Sequence, residues 1–159
     1  MSGHLNEYTI VLWLHILSST LLFGTGIGSA FYLLLSSLGR DPRVVAVVAG
    51  HVVTADWLFT ATTIVFQPAS GFYLLHLAGM PLQMRWIVWS LVLYALATAC
   101  WLPVIWLQMR MRDIARAAVR DGGALPPAYW RCFRVWVALG FPALFAFLAI
   151  FYLMVAKPV

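Results

Sequence analysis

Three ionisable residues, His15, His51 and Asp56, lie inside long apolar stretches. Such a group costs about 2.5–3.5 kcal/mol at the centre of a membrane helix, so each needs a partner or a task. His15 shares a helical face with Ser19, Gly26 and Ser29, which sets a potential ligand among small residues that admit a neighbouring backbone or a flat cofactor. Neutral imidazole inside a helical bundle is the usual axial ligand of haem; the plainer reading is an interior histidine held by hydrogen bonds. At 1.5 Å rise per residue His51 lies roughly 20 Å from His15 in depth, too far to share one iron. His51 is expected to serve a second site or a proton route. The depth of His15 corresponds to Gln67 on the second apolar segment and Met154 on the fourth, so Met154 completes a His/Met site or His15 is the sole protein ligand.

Asp56, Thr60, Thr63 and Gln67 recur at steps of four, three and four residues and continue to Ser70 and Gly71. On a helix they form one polar stripe that must face the bundle interior, either to hydrogen-bond neighbouring helices or to line a path. His76, Met80 and Met84 are spaced four apart around Pro81, a thioether and imidazole set suited to Cu(I), although Met is also an ordinary gap-filler. Among the tryptophans, Trp13, Trp86, Trp130 and Trp136 stand near segment ends and fit an interfacial belt. Trp57, Trp89, Trp101 and Trp106 are deeper and are expected to wall a cofactor pocket or to pack against lipid.

The elements that position these residues are helices in lipid. With 64% hydrophobic and 9% charged residues and a mean hydropathy of +0.92, the chain lacks the polar surface of a water-soluble globule. Four stretches are long enough to span: about 8–37, 44–77, 86–109 and 129–155, the third continuing as a more polar helix over 110–120. Gly39 with Asp41-Pro42, Gly79 with Pro81, and Gly122-Gly123 with Pro126-Pro127 punctuate them. These short connections predict an all-α, up-down-up-down four-helix transmembrane bundle, one integral membrane domain over residues 1–159. The run from Ile10 to Leu35 is longer than a signal-peptide core and is expected to stay as the first span. Cys100 and Cys132 fall at different depths and should remain free thiols.

The formal charge of +5 is carried beside the spans, so topology accounts for it and nucleic acid is not an expected partner. Arg40, Arg43, Arg110, Arg112, Arg116, Arg120, Arg131 and Arg134 cluster around the first and third connections, whereas Arg85 and Lys157 lie at the other end. Arginine is retained in cytoplasmic loops, which predicts a multi-pass membrane protein with both termini outside. Arg112, Arg116 and Arg120 form a basic stripe expected to meet anionic lipid headgroups.

The segment Tyr129-Trp130-Arg131-Cys132-Phe133-Arg134-Val135-Trp136, running into Gly140-Phe141-Pro142-Ala143 and closing on Leu153-Met154-Val155-Ala156-Lys157-Pro158, resembles a bacterial family of four-span predicted integral membrane proteins defined as a domain of unknown function. Trp13-Leu14-His15-Ile16-Leu17 with Gly24 and Gly26 fits the same pattern, so the resemblance covers essentially the whole chain. Both ends are also distantly similar to HemJ-type protoporphyrinogen oxidases, and the CopD copper-resistance membrane proteins look like a further relative. The HemJ resemblance implies a haem b site on the first-span histidine, here His15. Where that group opens its third span with Trp, His and Lys, this chain has Arg85-Trp86-Ile87-Val88-Trp89, which keeps a Trp and lacks the other two.

The leading expectation is a haem-b-binding membrane protein in electron transfer, haem handling or redox sensing; if an enzyme, it is a haem-dependent oxidoreductase. One alternative is a copper or small-solute transport subunit using the Asp56 stripe. The other is a non-catalytic subunit that docks a membrane partner or a second copy.

Overall fold

The computed structural model describes residues 2–158, with side chains from residue 6 onward. Four helices follow one another: α1 Ser2–Leu38, α2 Pro42–Leu77, α3 Arg85–Arg120 and α4 Pro127–Ala156. Each carries a window long and apolar enough to cross a bilayer, and no strand occurs among the described residues, in agreement with the all-α bundle expected. At 36 residues α3 is about 54 Å long, well beyond a hydrocarbon core of about 30 Å, so its Arg110–Arg120 portion projects past the apolar zone. Large apolar side chains such as Val65, Tyr152 and Val155 cover the outside, as suits a protein whose solvent is lipid.

The helix ends are closed by local hydrogen bonding. Asp41 accepts the Arg43 N–H at 2.9 Å and Pro42 opens α2. α2 and α3 stop on left-handed Gly79 (φ 63°) and Gly122 (φ 66°), with Met80 N–H returning to the Leu75 carbonyl and Gly123 N–H to that of Ala118. After α1 the left-handed residue is Arg40 (φ 59°) rather than Gly39. A side chain there costs about 1–2 kcal/mol of backbone strain, but the Arg40 guanidinium lies 5.4 Å over the Trp130 ring, a contact that glycine cannot make.

Two interruptions shape α2. Asp56–Thr60 form a π-helical turn, closed by the Ala61 N–H on the Asp56 carbonyl. Below this turn α2 packs on α3, and above it α2 follows α1 instead. The packed core therefore lies at the arginine-rich end, where Leu33, Val45, Ala49, Met111, Ala115 and Tyr129 are sealed together. Ser37 donates to the Leu33 carbonyl, and Tyr129 donates to Ser37 Oγ at 2.6 Å. Trp136, expected at an interface, is buried in this core instead and stacks on Phe133. It lies two turns inside α4, where neighbouring helices cover it before lipid can.

The second interruption is Pro68, which has no N–H and so leaves the Ile64 carbonyl without its helical partner. Tyr94 of α3 donates its hydroxyl to that carbonyl at 2.5 Å. This bond reaches across the region where α2 and α3 have parted. A break in one helix thus becomes a link between two.

Candidate functional site

Among the described residues, cavities open along the bundle where α2 diverges from α3 above the π turn, and two of them hold the polar residues of the spans. The one at the end opposite the arginines has a volume of about 220 Å³ and receives His15 and Ser19 from α1, Gln67 and Gly71 from α2, Trp86 and Ser90 from α3, and Met154 from α4. Its walls are mainly apolar, with Lys157 contributing a cation. Lys157 takes a left-handed conformation (φ 41°) that ends α4, and its ammonium lies 5.9 Å from the Trp86 ring.

His15 is 8% exposed, and its Nδ1 is 2.7 Å from Ser70 Oγ. The hydroxyl proton of Ser70 is directed at the Phe66 carbonyl, also at 2.7 Å. One hydroxyl has one proton, so the arrangement that satisfies both contacts has His15 Nδ1–H donating to Ser70 Oγ. That tautomer leaves Nε2 as a bare lone pair, with no hydrogen-bond partner among the described residues. Gly71 lets the ring seat closely: a Cβ added there would stand 3.5 Å from His15 Cε1. An imidazole fixed through Nδ1 with Nε2 free is the arrangement that orients a histidine for a metal.

The second cavity, about 350 Å³, lies nearer mid-bundle and shares Leu22 and Phe147 with the first. Gly26 and Ser29 of α1, Asp56 and Thr60 of α2, Trp101 and Gln108 of α3, and Trp136, Gly140 and Phe141 of α4 line it. Asp56 Oδ1 accepts the Thr60 hydroxyl at 3.0 Å, and the Gln108 amide lies against the same carboxyl. Asp56 Oδ2, Gln108 Oε1 and Trp101 Nε1 are buried without a hydrogen-bond partner.

The polar stripe of α2 is buried from Asp56 through Thr60, Thr63 and Gln67 to Ser70, but it does not serve one site. Asp56 and Thr60 line the mid-bundle cavity, Gln67 lines the His15 cavity, and Thr63 lines neither. Its hydroxyls mostly bond within their own helix, Thr63 to the Phe59 carbonyl at 2.6 Å, because a carbonyl one turn back is always in reach. Links between helices come from Ser70 at the end of the stripe and, outside it, from Tyr73 to Glu7 and from Tyr94 and Tyr129. The small-residue face of α1 divides in the same way, with His15 and Ser19 on one cavity and Gly26 and Ser29 on the other.

His51 is not a partner for His15. It is exposed on the outer face of α2, since five residues of helix turn it about 140° away from the inward Asp56. Nor do His76, Met80 and Met84 face one cavity: Met80 lines the His15 cavity, His76 is exposed, and Met84 precedes α3 as its N-cap residue. Among the described residues no group of three His, Cys, Asp or Glu is placed to hold a metal. Of the four deeper tryptophans only Trp101 lines a cavity, whereas Trp57, Trp89 and Trp106 are more than half exposed. In the basic stripe Arg112 pairs with Asp113 at 2.9 Å, Arg116 reaches over Gly50 of α2, and Arg120 ends α3 exposed. Cys100 and Cys132 are free.

Residues 9–158 match the family described as predicted integral membrane protein (DUF2269). The chain belongs to that family. No curated protein and no solved structure matches this DUF2269 chain. Gln108 and Tyr94 are the site residues that the sequence reading passed over. A lone glutamine within an apolar span is a visible signal for the first; the second became meaningful only once Pro68 was seen to free the carbonyl opposite it.

Proposed function

We propose that this DUF2269 protein is a small haem-b-binding protein of the bacterial inner membrane that exchanges electrons or handles haem, with His15 as the protein ligand. The observation that carries this reading is the His15 ring, whose Nδ1 is tied to Ser70 and whose Nε2 has no partner among the described residues beside an apolar cavity. The donor set suits the group: a neutral imidazole on one wall, the Met154 thioether on another, and Lys157 as a cation for the carboxylates. At about 220 Å³ the cavity is smaller than the roughly 300–1,000 Å³ of pockets that enclose drug-sized ligands, so a macrocycle held there keeps an edge in lipid. Bound in this way, haem supplies one-electron chemistry. The protein's own part is to fix the imidazole tautomer, exclude water with Leu12, Phe151 and Trp86, and compensate negative charge through Lys157.

The positive-inside rule supports cytoplasmic placement of the 39–41 and 121–126 connections, with both helical termini on the opposite side. Arg112, Arg116 and Arg120 then stand at the cytoplasmic surface within reach of anionic headgroups. A continuous transport path is disfavoured by the core of Leu33, Val45, Met111 and Tyr129, which closes the bundle between Asp56 and the arginine-rich end.

The test is the oxidised and dithionite-reduced absorption spectrum of protein purified in mild detergent and supplied with haem. A Soret band with resolved α and β bands is expected, lost in His15→Ala and retained in His51→Ala. Colourless wild-type protein after haem supplementation would refute the proposal. Cysteine placed at Gly123 in a cysteine-free background should react with an impermeant maleimide only after the cells are opened; labelling of intact cells would reverse the orientation.

A further inference from the structure

We propose that the mid-bundle cavity is a binding site for a lipid-soluble quinone or quinol ring, distinct from the His15 cavity and independent of whether that cavity takes haem. Asp56 and Gln108 are each 3% exposed and hold one oxygen apiece without a partner, and Trp101 holds an unpaired indole N–H. All three side chains line one cavity of about 350 Å³, within the range of small-molecule pockets. An unsatisfied buried polar atom costs about 1–3 kcal/mol, so three around one cavity favour an occupant that pairs with them.

The kinds of atom select the occupant. An organic ammonium would answer the two oxygens and leave the Trp101 N–H alone, because it has no acceptor. The two oxygens of a quinol ring together answer all three. As hydroxyls they donate one proton each to Asp56 and Gln108 while one of them accepts from Trp101; as carbonyls they accept from Trp101 and from Asp56 when that acid carries a proton, and only the Gln108 oxygen is left over. A quinone and its quinol therefore fit both protonation states of the aspartate, which a permanent cation does not. Phe23, Phe31, Phe141 and Phe147 supply aromatic walls for the ring.

The route of entry is also built in. α1 and α4 both line the cavity, yet their backbones do not pack closely on each other. Both Gly26 and Gly140 face open space, with no atom of another helix within 4 Å of the position a Cβ would take. An alkyl tail can leave between these two helices into lipid while the ring stays among the polar atoms.

The full chain in dodecyl maltoside, titrated calorimetrically with 2-decyl-1,4-benzoquinone and with its quinol, tests this. Decylbenzene and decyltrimethylammonium serve as controls for partition into the micelle and for cation binding. Saturable binding of the quinone or quinol is expected, with only linear partition for the controls. Asp56→Asn combined with Gln108→Leu should weaken it on the order of tenfold, the consequence of losing one or two buried hydrogen bonds. Gly140→Leu, which fills the cavity and leaves every polar atom in place, should weaken it as well and shows the effect without disturbing the polar cluster. The proposal is overturned if quinone, quinol and decylbenzene behave alike, if the ammonium binds more tightly than either ring, or if saturable binding is indifferent to all these substitutions. In the first case water alone satisfies the orphan atoms.

Discussion

Removing the hydroxyl of Tyr94 tests how a proline in α2 is accommodated. Pro68 cannot donate to the Ile64 carbonyl, and Tyr94 donates to it at 2.5 Å from another helix. Tyr94→Phe leaves that carbonyl unpaired in an apolar interior. Loss of a buried partner costs about 1–3 kcal/mol, while polar links between membrane helices are worth about 0.6 kcal/mol on average and about 1.7 at most, because the unfolded helices in lipid find other partners. A cost of about 1–1.5 kcal/mol is therefore expected. Pro68→Ala returns an N–H four residues after Ile64, so in that background the carbonyl has a helical donor and Tyr94→Phe should cost about 0.5 kcal/mol or less. The assay is reversible unfolding of the four variants by sodium dodecyl sulfate in mixed micelles, followed by far-ultraviolet circular dichroism. A coupling of about 0.5–1 kcal/mol in the double-mutant cycle supports the account. Equal costs of Tyr94→Phe in the two backgrounds would show that the hydroxyl does not replace the missing donor.

Ser70→Ala removes the acceptor that fixes His15 Nδ1 and should lower haem affinity about 10–100-fold while the fold survives, read by haem titration against apoprotein; unchanged affinity would mean that Ser70 does not orient the ring. Gly71→Ala should be tolerated, since its Cβ would make an ordinary 3.5 Å contact with His15, whereas Gly71→Leu should displace the ring and abolish the Soret band. Tyr129→Phe and Ser37→Ala should each lower stability by about 1 kcal/mol, Ser37→Ala also losing its bond to the Leu33 carbonyl, with the double variant close to Ser37→Ala alone because both break the shared bond; additive losses in the same unfolding assay would count against that bond. Gly122→Ala should cost about 1–2 kcal/mol through its left-handed backbone, visible as earlier unfolding of the arginine-rich end in hydrogen exchange, with protection equal to wild type as the contrary result.

Helix type and number follow from composition alone: no arrangement other than helices satisfies the backbone of four long apolar runs in lipid at this length. The inward placement of Asp56 and Gln67 was legible in the phase they share with Thr60 and Thr63, and that of His15 in its small-residue face, whereas His51, also within a span, lies on the exposed side. Helical phase likewise separated Asp56 from His51, and the rise per residue placed His15, Gln67 and Met154 at a common depth where they line one cavity. The pattern could not tell that the α2 stripe serves two cavities rather than one. That division depends on where α2 leaves α3 for α1, a matter of packing among helices far apart in sequence, with the π turn and Pro68 at the points of change. The Trp136 burial was hidden for the same reason, since nearness to a helix end says nothing about which helices stand beside it. Local sequence determined the phase and depth of the polar residues; tertiary structure decided which inward groups share a space and which atoms are left unpaired, because only packing brings a Ser70 to a His15 or withholds a partner from one oxygen each of Asp56 and Gln108.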